Sequence, residues 1–299
     1  MNTSPTASVA RPLAGPHSIL WIGPAEAGDM RLALGWAGEL AVVHAFATPA
    51  EAIAAPPEPF VERSPAVILV ASDAPGRWSL EDLLPLALRW PLAPIVSVAG
   101  GLVDGRRRSG PALTGIVEVP WHELPGRLTC WLADRVAGRP GTLGLPAAVR
   151  REDRILESCG GSGPAAAVSV AAGNAADLDG ISDLVVAAGG TVVRRSRGRP
   201  PLDEPAAVLV WDVGRLEAEH VAWVRMLAAN RPGLWIVLLE SFPRPDTTRS
   251  ALEAGAGAVL GRPASAETLA GTLQRPAAPT PRGHIQRPPT ALSPPAGAG

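Results

Sequence analysis

With 299 residues, 46% of them apolar and 18% charged, the chain is long enough for two domains of ordinary size, and most of it should fold. Its 27 basic and 28 acidic residues leave a formal net charge of −1, which argues against a global nucleic-acid footprint. Every basic residue is Arg, so chemistry that needs a Lys ammonium is excluded.

Residues 1–16 are rich in Pro, Ser and Ala and read as a disordered N-terminus with no apolar core of signal-peptide length. No run approaches the roughly 18–20 apolar residues of a membrane span. The expected setting is cytoplasmic, with no membrane partner. The first folded round covers 17–137. SILWI (18–22) reads as a buried strand, and AEAGDMRLALGWAG follows with a helical stripe of Met30, Leu34 and Ala37. ELAVVHAF (39–46) is the next strand. Thr48-Pro49-Ala50-Glu51 makes a capping box with Pro at the first helical position, so a short helix runs to about Ala55. AVILVAS (66–72) is a third strand, SLEDLLPLALRW (79–90) a helix capped by Ser79, and PIVSVAG (94–100) a fourth strand. GLVDGRRRSGPALT is too rich in Gly and Arg to read as a helix, and its Arg106-Arg107-Arg108 run reads as a solvated loop, with an anionic partner as the sharper alternative. GIVEV (115–119) is a short fifth strand, and a helix from about His122 to Val136 closes the round. Cys130, in the apolar stretch LTCWLAD, reads as a small core residue.

Residues 138–164 read as a linker holding a charged helical stretch, AAVRREDRILES (147–158), which would act as a spacer, pack on a domain or help pair two chains. Cys159 follows it and reads as exposed. The two cysteines make neither a disulfide framework nor a zinc site, and the five His residues (17, 44, 122, 220 and 284) show no metal spacing. Trp90 and Trp121 border loops and are candidates for an interface.

The second round covers 165–275. AAAVSVA is strand-like, and Ile181, Leu184, Val185 and Ala188 mark a helix that stops at Gly189-Gly190. TVVRR (191–195) is a strand, 197–205 a loop, and AVLVW (207–211) a strand that ends on Asp212. LEAEHVAWVRMLAAN is an amphipathic helix and WIVLLE (235–240) a fourth strand. PDTTRSALEAGAG caps on Asp246 and stops at Gly255, AVL (258–260) is a fifth strand, and Ser265 caps the last helix. Residues 276–299 are Pro-rich and read as a disordered tail, with a polyproline ligand as the alternative. Two rounds of alternating strand and helix imply two parallel sheets, each covered on both faces.

The motifs VLVWDVG (208–214), IVLLESF (236–242) and ALEAGAGAVLGRPASAETLAGTL (251–273) follow one another at spacings that resemble the receiver domain of two-component response regulators. The resemblance spans about 165–275, and the first round has the same element order with weaker motifs. It implies two flavodoxin-like, doubly wound domains (CheY-like), strand order 2-1-3-4-5, with a site at the carboxyl ends of the strands. A working receiver needs an acidic pair after the first strand to hold Mg²⁺, a phosphoacceptor Asp after the third, a Thr or Ser after the fourth and a Lys before Pro after the fifth. The cation and the fixed positive charge offset negative charge that develops on the phosphoryl oxygens.

Carried over residue by residue, Asp212 fits the phosphoacceptor and Arg262, before Pro263, the Lys. Glu240, with Ser241 one step later, stands at the Thr/Ser position, where a carboxylate repels a phosphoryl group. Ala172, Gly173 and Asn174 replace the acidic pair, while Asp177 and Asp179 come too late, on the following helix. In the first round Gly23-Pro24 replaces the pair, Asp73 is the nearest phosphoacceptor analogue, the fourth strand exits through Ser97 or Ala99-Gly100, and Val119 before Pro120 stands at the basic position.

The reading is therefore a non-enzymatic tandem of degenerate pseudo-receiver domains that acts through protein partners. A histidine kinase or another signalling protein is the implied partner class, and a homodimer is allowed. It needs no cofactor, with Mg²⁺ required only if Asp212 is a working phosphoacceptor. A salt bridge from Arg262 to Asp212 would lock the site. Two alternatives stand beside this: an atypical regulator phosphorylated at Asp212, and a doubly wound nucleotide or small-ligand binder. The last lacks both a G-x-G-x-x-G turn after either first strand and a P-loop; the AAGN turn at 171–174 is all it has.

Overall fold

Apolar strands that alternate with capped helices build two open parallel sheets. The computed structural model of the chain describes residues 17–104, 113, 115–139, 143, 166–274 and 285–286. The N-terminal 1–16, the Arg106–Arg108 run, most of the linker with Cys159, and nearly all of the tail lie outside the described residues.

The first domain runs β1 (Ser18–Ile22), α1 (Gly28–Leu40), β2 (Val42–Phe46), α2 (Pro49–Ala54), α3 (Pro59–Glu62), β3 (Ile68–Ser72), α4 (Leu80–Arg89), β4 (Ile95–Ala99), α5 (Gly101–Asp104), β5 (Val117–Pro120) and α6 (Leu124–Val136). The second runs β6 (Ala167–Ala172), α7 (Ala175–Ala187), β7 (Thr191–Arg197), β8 (Val208–Gly214), α8 (Ala218–Asn230), β9 (Trp235–Glu240), α9 (Pro245–Glu253), β10 (Ala258–Gly261) and α10 (Ala266–Leu273). Strand β11 (Ile285–Gln286) returns to the first domain.

Each sheet keeps the order 2-1-3-4-5 with parallel pairing: β2-β1-β3-β4-β5 in one and β7-β6-β8-β9-β10 in the other. This is the doubly wound, flavodoxin-like order, which places the strand carboxyl ends of β1 and β3, or β6 and β8, at a crevice. Apolar residues of alternate parity fill the two sides. In the first domain Ile19, Trp21, Leu69 and Val98 face α1 and α6, while Leu20, Ile22, Ile68 and Val70 face α4. The capping expectations at Ser79 and Ser265 hold, while the box expected at Thr48 forms only in part, because the Glu51 carboxylate accepts the Ala47 N–H at 3.1 Å and not that of Thr48. Thr48 accepts the Glu51 N–H, Ser79 and Asp82 cap reciprocally, and Ser265 accepts the Thr268 N–H.

Several expectations are corrected. Strand β8 does not end at Trp211. Asp212 stays in the ladder opposite Leu239, and a bulge then lets Gly214, at φ 63°, pair with Glu240. Helix α9 caps on Arg244, not Asp246, because Pro245 takes the first helical position, where no N–H is needed. Helix α3, and α5 in the Gly-rich stretch, are short turns that local periodicity does not announce. Trp90 and Trp121 are core residues, 2% and 0% exposed, and not surface anchors. Within the tail expected to be disordered, Ile285 and Gln286 pair in parallel with Val43 and His44, adding a sixth strand at the β2 edge.

The domains meet through α6 and α10. Residues Glu267–Leu273 of α10 are all buried, because one side of the helix lies on the second sheet and the other on α6. Gly126 and Gly271 set the distance: a Cβ on Gly271 would fall 1.9 Å from the Gly126 carbonyl oxygen. Arg127 pairs with Glu267 and donates to Thr268 Oγ1 at 3.0 Å, Trp131 Nε1 donates to Glu267 Oε1 at 2.8 Å, and Thr268 Oγ1 donates to Glu123 Oε2 at 2.9 Å. Buried carboxylates survive here because each has a charged or polar donor. Cys130 belongs to this seam and not to a domain interior, with Sγ 3.5 Å from the Glu267 carbonyl oxygen.

Candidate functional site

At the mouth of the second sheet, Asp212 is 6% exposed and accepts the Gly214 N–H on Oδ1 at 2.9 Å. Arg262 comes off the end of β10, where its own N–H donates to the Glu240 carbonyl at 2.8 Å. Its guanidinium lies between two carboxylates. Nη1 is 2.8 Å from Asp212 Oδ2, and Nη2 is 2.9 Å from Asp177 Oδ1. Asn174 holds Asp177 in place. As N-cap of α7 it accepts the Asp177 N–H at 2.9 Å, and its amide donates to Asp177 Oδ2 at 2.7 Å.

Asp177 therefore belongs to the site, contrary to its expected exclusion. Asp177 lies in the first turn of α7, five residues past Ala172, and the Arg262 side chain reaches it from the end of β10. The signal was the Asn-x-x-Asp spacing at 174–177, which marks an N-cap followed by an acidic residue in the first turn of a helix. Burial pushes the Asp212 carboxyl above the usual carboxylate range, and Asp177 adds to the push. The Gly214 N–H and the Arg262 guanidinium pull the other way.

Glu240 is 3% exposed. One oxygen accepts the Leu216 N–H at 3.3 Å, and the other is buried without a hydrogen-bond partner. Burial raises its pKa. Ser241 is exposed, and its N–H donates to the Gly214 carbonyl. Both residues close the β8–β9 bulge.

The first domain has a different set of groups at its mouth. Asp73 has an oxygen buried without a hydrogen-bond partner, with the Arg77 guanidinium 3.9 Å away. Ser72 and Ser97 hydroxyls meet at 3.3 Å beneath it. Trp78 covers Gly23 and donates Nε1–H to the Ala71 carbonyl at 2.7 Å. Asp29, on the first turn of α1, spans the crevice to the Gly101 N–H at 2.9 Å. The residue at the basic position is Trp121, not Val119. Its N–H donates to the Ala99 carbonyl as that of Arg262 does to Glu240, and its ring stacks on Trp36 at 5.9 Å. An apolar stack thus replaces the cation.

The second site also touches the domain seam. Gly261, immediately before Arg262, donates its N–H to His122 Nδ1 of the first domain at 3.1 Å. Chemically, one guanidinium bridges two carboxylates and offsets part of their charge. Among the described residues no group of three or more His, Cys, Asp or Glu could hold a metal ion, and no described helix is long and apolar enough to cross a membrane.

No family model matches the chain, and no curated protein matches it. Among solved structures, a Burkholderia pseudomallei protein described as pilus assembly-related is 24% identical over 37% of this chain and 87% of its own, with a TM-score of 0.33. A chemotaxis response regulator of Vibrio cholerae is 23% identical over 38% and 98%, with a TM-score of 0.33. A CheY-like protein of Pseudomonas aeruginosa is 24% identical over 36% and 91%, with a TM-score of 0.31. Strand order and pairing in the two sheets show the fold by themselves: the chain holds two doubly wound, flavodoxin-like sheets in tandem, an order that CheY-like proteins share.

Proposed function

We propose that the chain is a non-enzymatic regulatory protein whose two pseudo-receiver domains act by binding protein partners, without phosphorylation at Asp212. The observation that carries this reading is the Asp177–Arg262–Asp212 bridge, with contacts of 2.9 and 2.8 Å. A guanidinium held by two carboxylates already fills the place of the activating cation, and Ala172, Gly173 and Asn174 supply no acidic pair to recruit Mg²⁺. Buried Glu240 adds a carboxylate where phosphoryl oxygens would need a donor. In the first domain Trp78 and Trp121 support the same reading. A signal would then pass through contacts between proteins, with the Arg262 bridge as a structural clamp.

Asp177 favours a second reading, because it keeps a second carboxylate in the crevice. Mg²⁺ could displace Arg262 and let Asp212 accept a phosphoryl group. One experiment separates the two. The protein is incubated with acetyl phosphate and Mg²⁺ and its intact mass is measured. An unchanged mass is expected. A gain of one phosphoryl group that disappears in Asp212→Ala would establish the second reading.

A further inference from the structure

An edge strand offers unpaired N–H and C=O groups to any extended segment, and folds blunt such edges with charge, Pro or a bulge. Two edges of this molecule are guarded in that way. Strand β7 carries Arg194, Arg195 and Arg197, and its register against β6 skips Val193. Strand β5 carries Glu118 and ends on Pro120. Strand β2 has no such guard: VVHAF holds no carboxylate, Arg or Pro, and all five residues pair with β1 in regular register. What covers its outer edge is the chain itself, through the parallel pairing of Ile285 with Val43 and of Gln286 with His44.

The ladder shows which groups meet. Val42 donates its N–H to the His17 carbonyl, and the Phe46 carbonyl accepts the Gly23 N–H, so the alternate residues Val42, His44 and Phe46 bond to β1. Val43 and Ala45 therefore turn their backbone groups outward, and the register sets Gln286 between them. The composition of the tail fits the same role. RGHIQR (282–287) is the longest stretch without Pro in 276–299, and Ile285 is the one apolar β-branched residue there. Pro281 and Pro288 stop the ladder from growing past them. A strand this short is a weak ligand by itself, but its tether to the second domain keeps it at high effective concentration. We propose that the β2 edge is a site for parallel strand addition, with Ile285–Gln286 of the same chain as its tethered plug, which an extended segment of a partner protein must displace in order to dock. The site lies apart from Asp212 and does not depend on whether that residue is phosphorylated.

The test uses the full chain and a variant outside both domain cores, Gln286→Pro, which removes the tail N–H that faces Val43. Amide exchange is followed residue by residue by NMR. Val43 and Ala45 are expected to exchange slowly in wild type and roughly 10-fold or more faster in Gln286→Pro, with Val42 and His44 unchanged. A labelled peptide of residues 279–290, PTPRGHIQRPPT, is then titrated into both proteins. It should bind the variant about 10-fold or more tightly than wild type, where the tethered tail competes. Three results would overturn the proposal. One is equal exchange at Val43 and Ala45 in the two proteins. Another is wild-type protection that falls on dilution, which would put the pairing between copies. The third is a peptide that fails to bind the variant, or that binds both proteins equally.

Discussion

Gly271→Ala places a methyl group where α6 and α10 leave no room for one. The new Cβ would lie 1.9 Å from the Gly126 carbonyl oxygen and 3.0 Å from Cys130 Sγ. An ordinary carbon–oxygen contact is about 3.3 Å, so the helices must part by roughly 1.4 Å. Overpacking of this kind costs about 1–3 kcal/mol, and a backbone neighbour that cannot rotate away puts this site near the upper end. Ala is the better helix former by about 1 kcal/mol, which offsets part of the loss. The net loss of about 2 kcal/mol opens the seam roughly 30-fold more often. Cys130 reports the opening. Its pKa is pushed up to about 12, first by burial and then by the Glu267 and Asp134 carboxylates. In a Cys159→Ser background, alkylation of native protein at neutral pH should be slow, and Gly271→Ala should speed it by about the same 30-fold. Gly180→Ala is the control. That glycine is exposed in α7 with open space where a Cβ would stand, so Ala there should stabilise by about 0.5–1 kcal/mol without speeding alkylation. Equal alkylation rates in Gly271→Ala and wild type would refute the close glycine contact as what holds the domains together.

Arg262→Ala leaves Asp212, whose side chain is 3% exposed, and Asp177 without their shared cation. Since the Arg262 side chain is itself 32% exposed, the expected loss is the lower part of the range for an unpaired buried group, about 1–2 kcal/mol by urea denaturation at neutral pH. The loss should shrink as pH falls and Asp212 takes up its proton; equal stability at neutral pH would count against the clamp. Glu240→Gln tests the other buried carboxyl. A raised pKa means the folded state holds the proton more tightly than the unfolded chain, so ionisation costs stability. That cost is absent below the unfolded value of about 4.3 and complete above the raised folded value. The difference in melting temperature should therefore move in the variant's favour as pH rises from about 4 to about 8. A difference that stays flat over that range would show that Glu240 is not ionised at a cost.

Much of this molecule was legible in the order of its residues. Apolar runs separated by caps at Thr48, Ser79 and Ser265 specify strands and helices locally, because a cap or a helical stripe is settled within a few residues. VLVWDVG and GRP placed Asp212 and Arg262 at strand ends, and the doubly wound order brings those ends to one crevice. What remained hidden depends on approaches between distant segments. Asp177 looked too late in the sequence, since only the ion pair formed in the fold shows that its carboxylate meets Arg262. Val119 before Pro120 imitated a basic-Pro motif, and only the hydrogen bond to Ala99 shows that Trp121 holds that place. The seam was invisible for the same reason. Gly126 and Gly271 lie far apart in sequence, and each reads alone as an ordinary helix glycine. Their contact exists only once two separately folded sheets present those helices to each other, with Arg127 and Trp131 positioned to satisfy the buried Glu267. Local sequence settled the elements and the fold of each domain; packing between elements decided which groups share a site and how the two domains join.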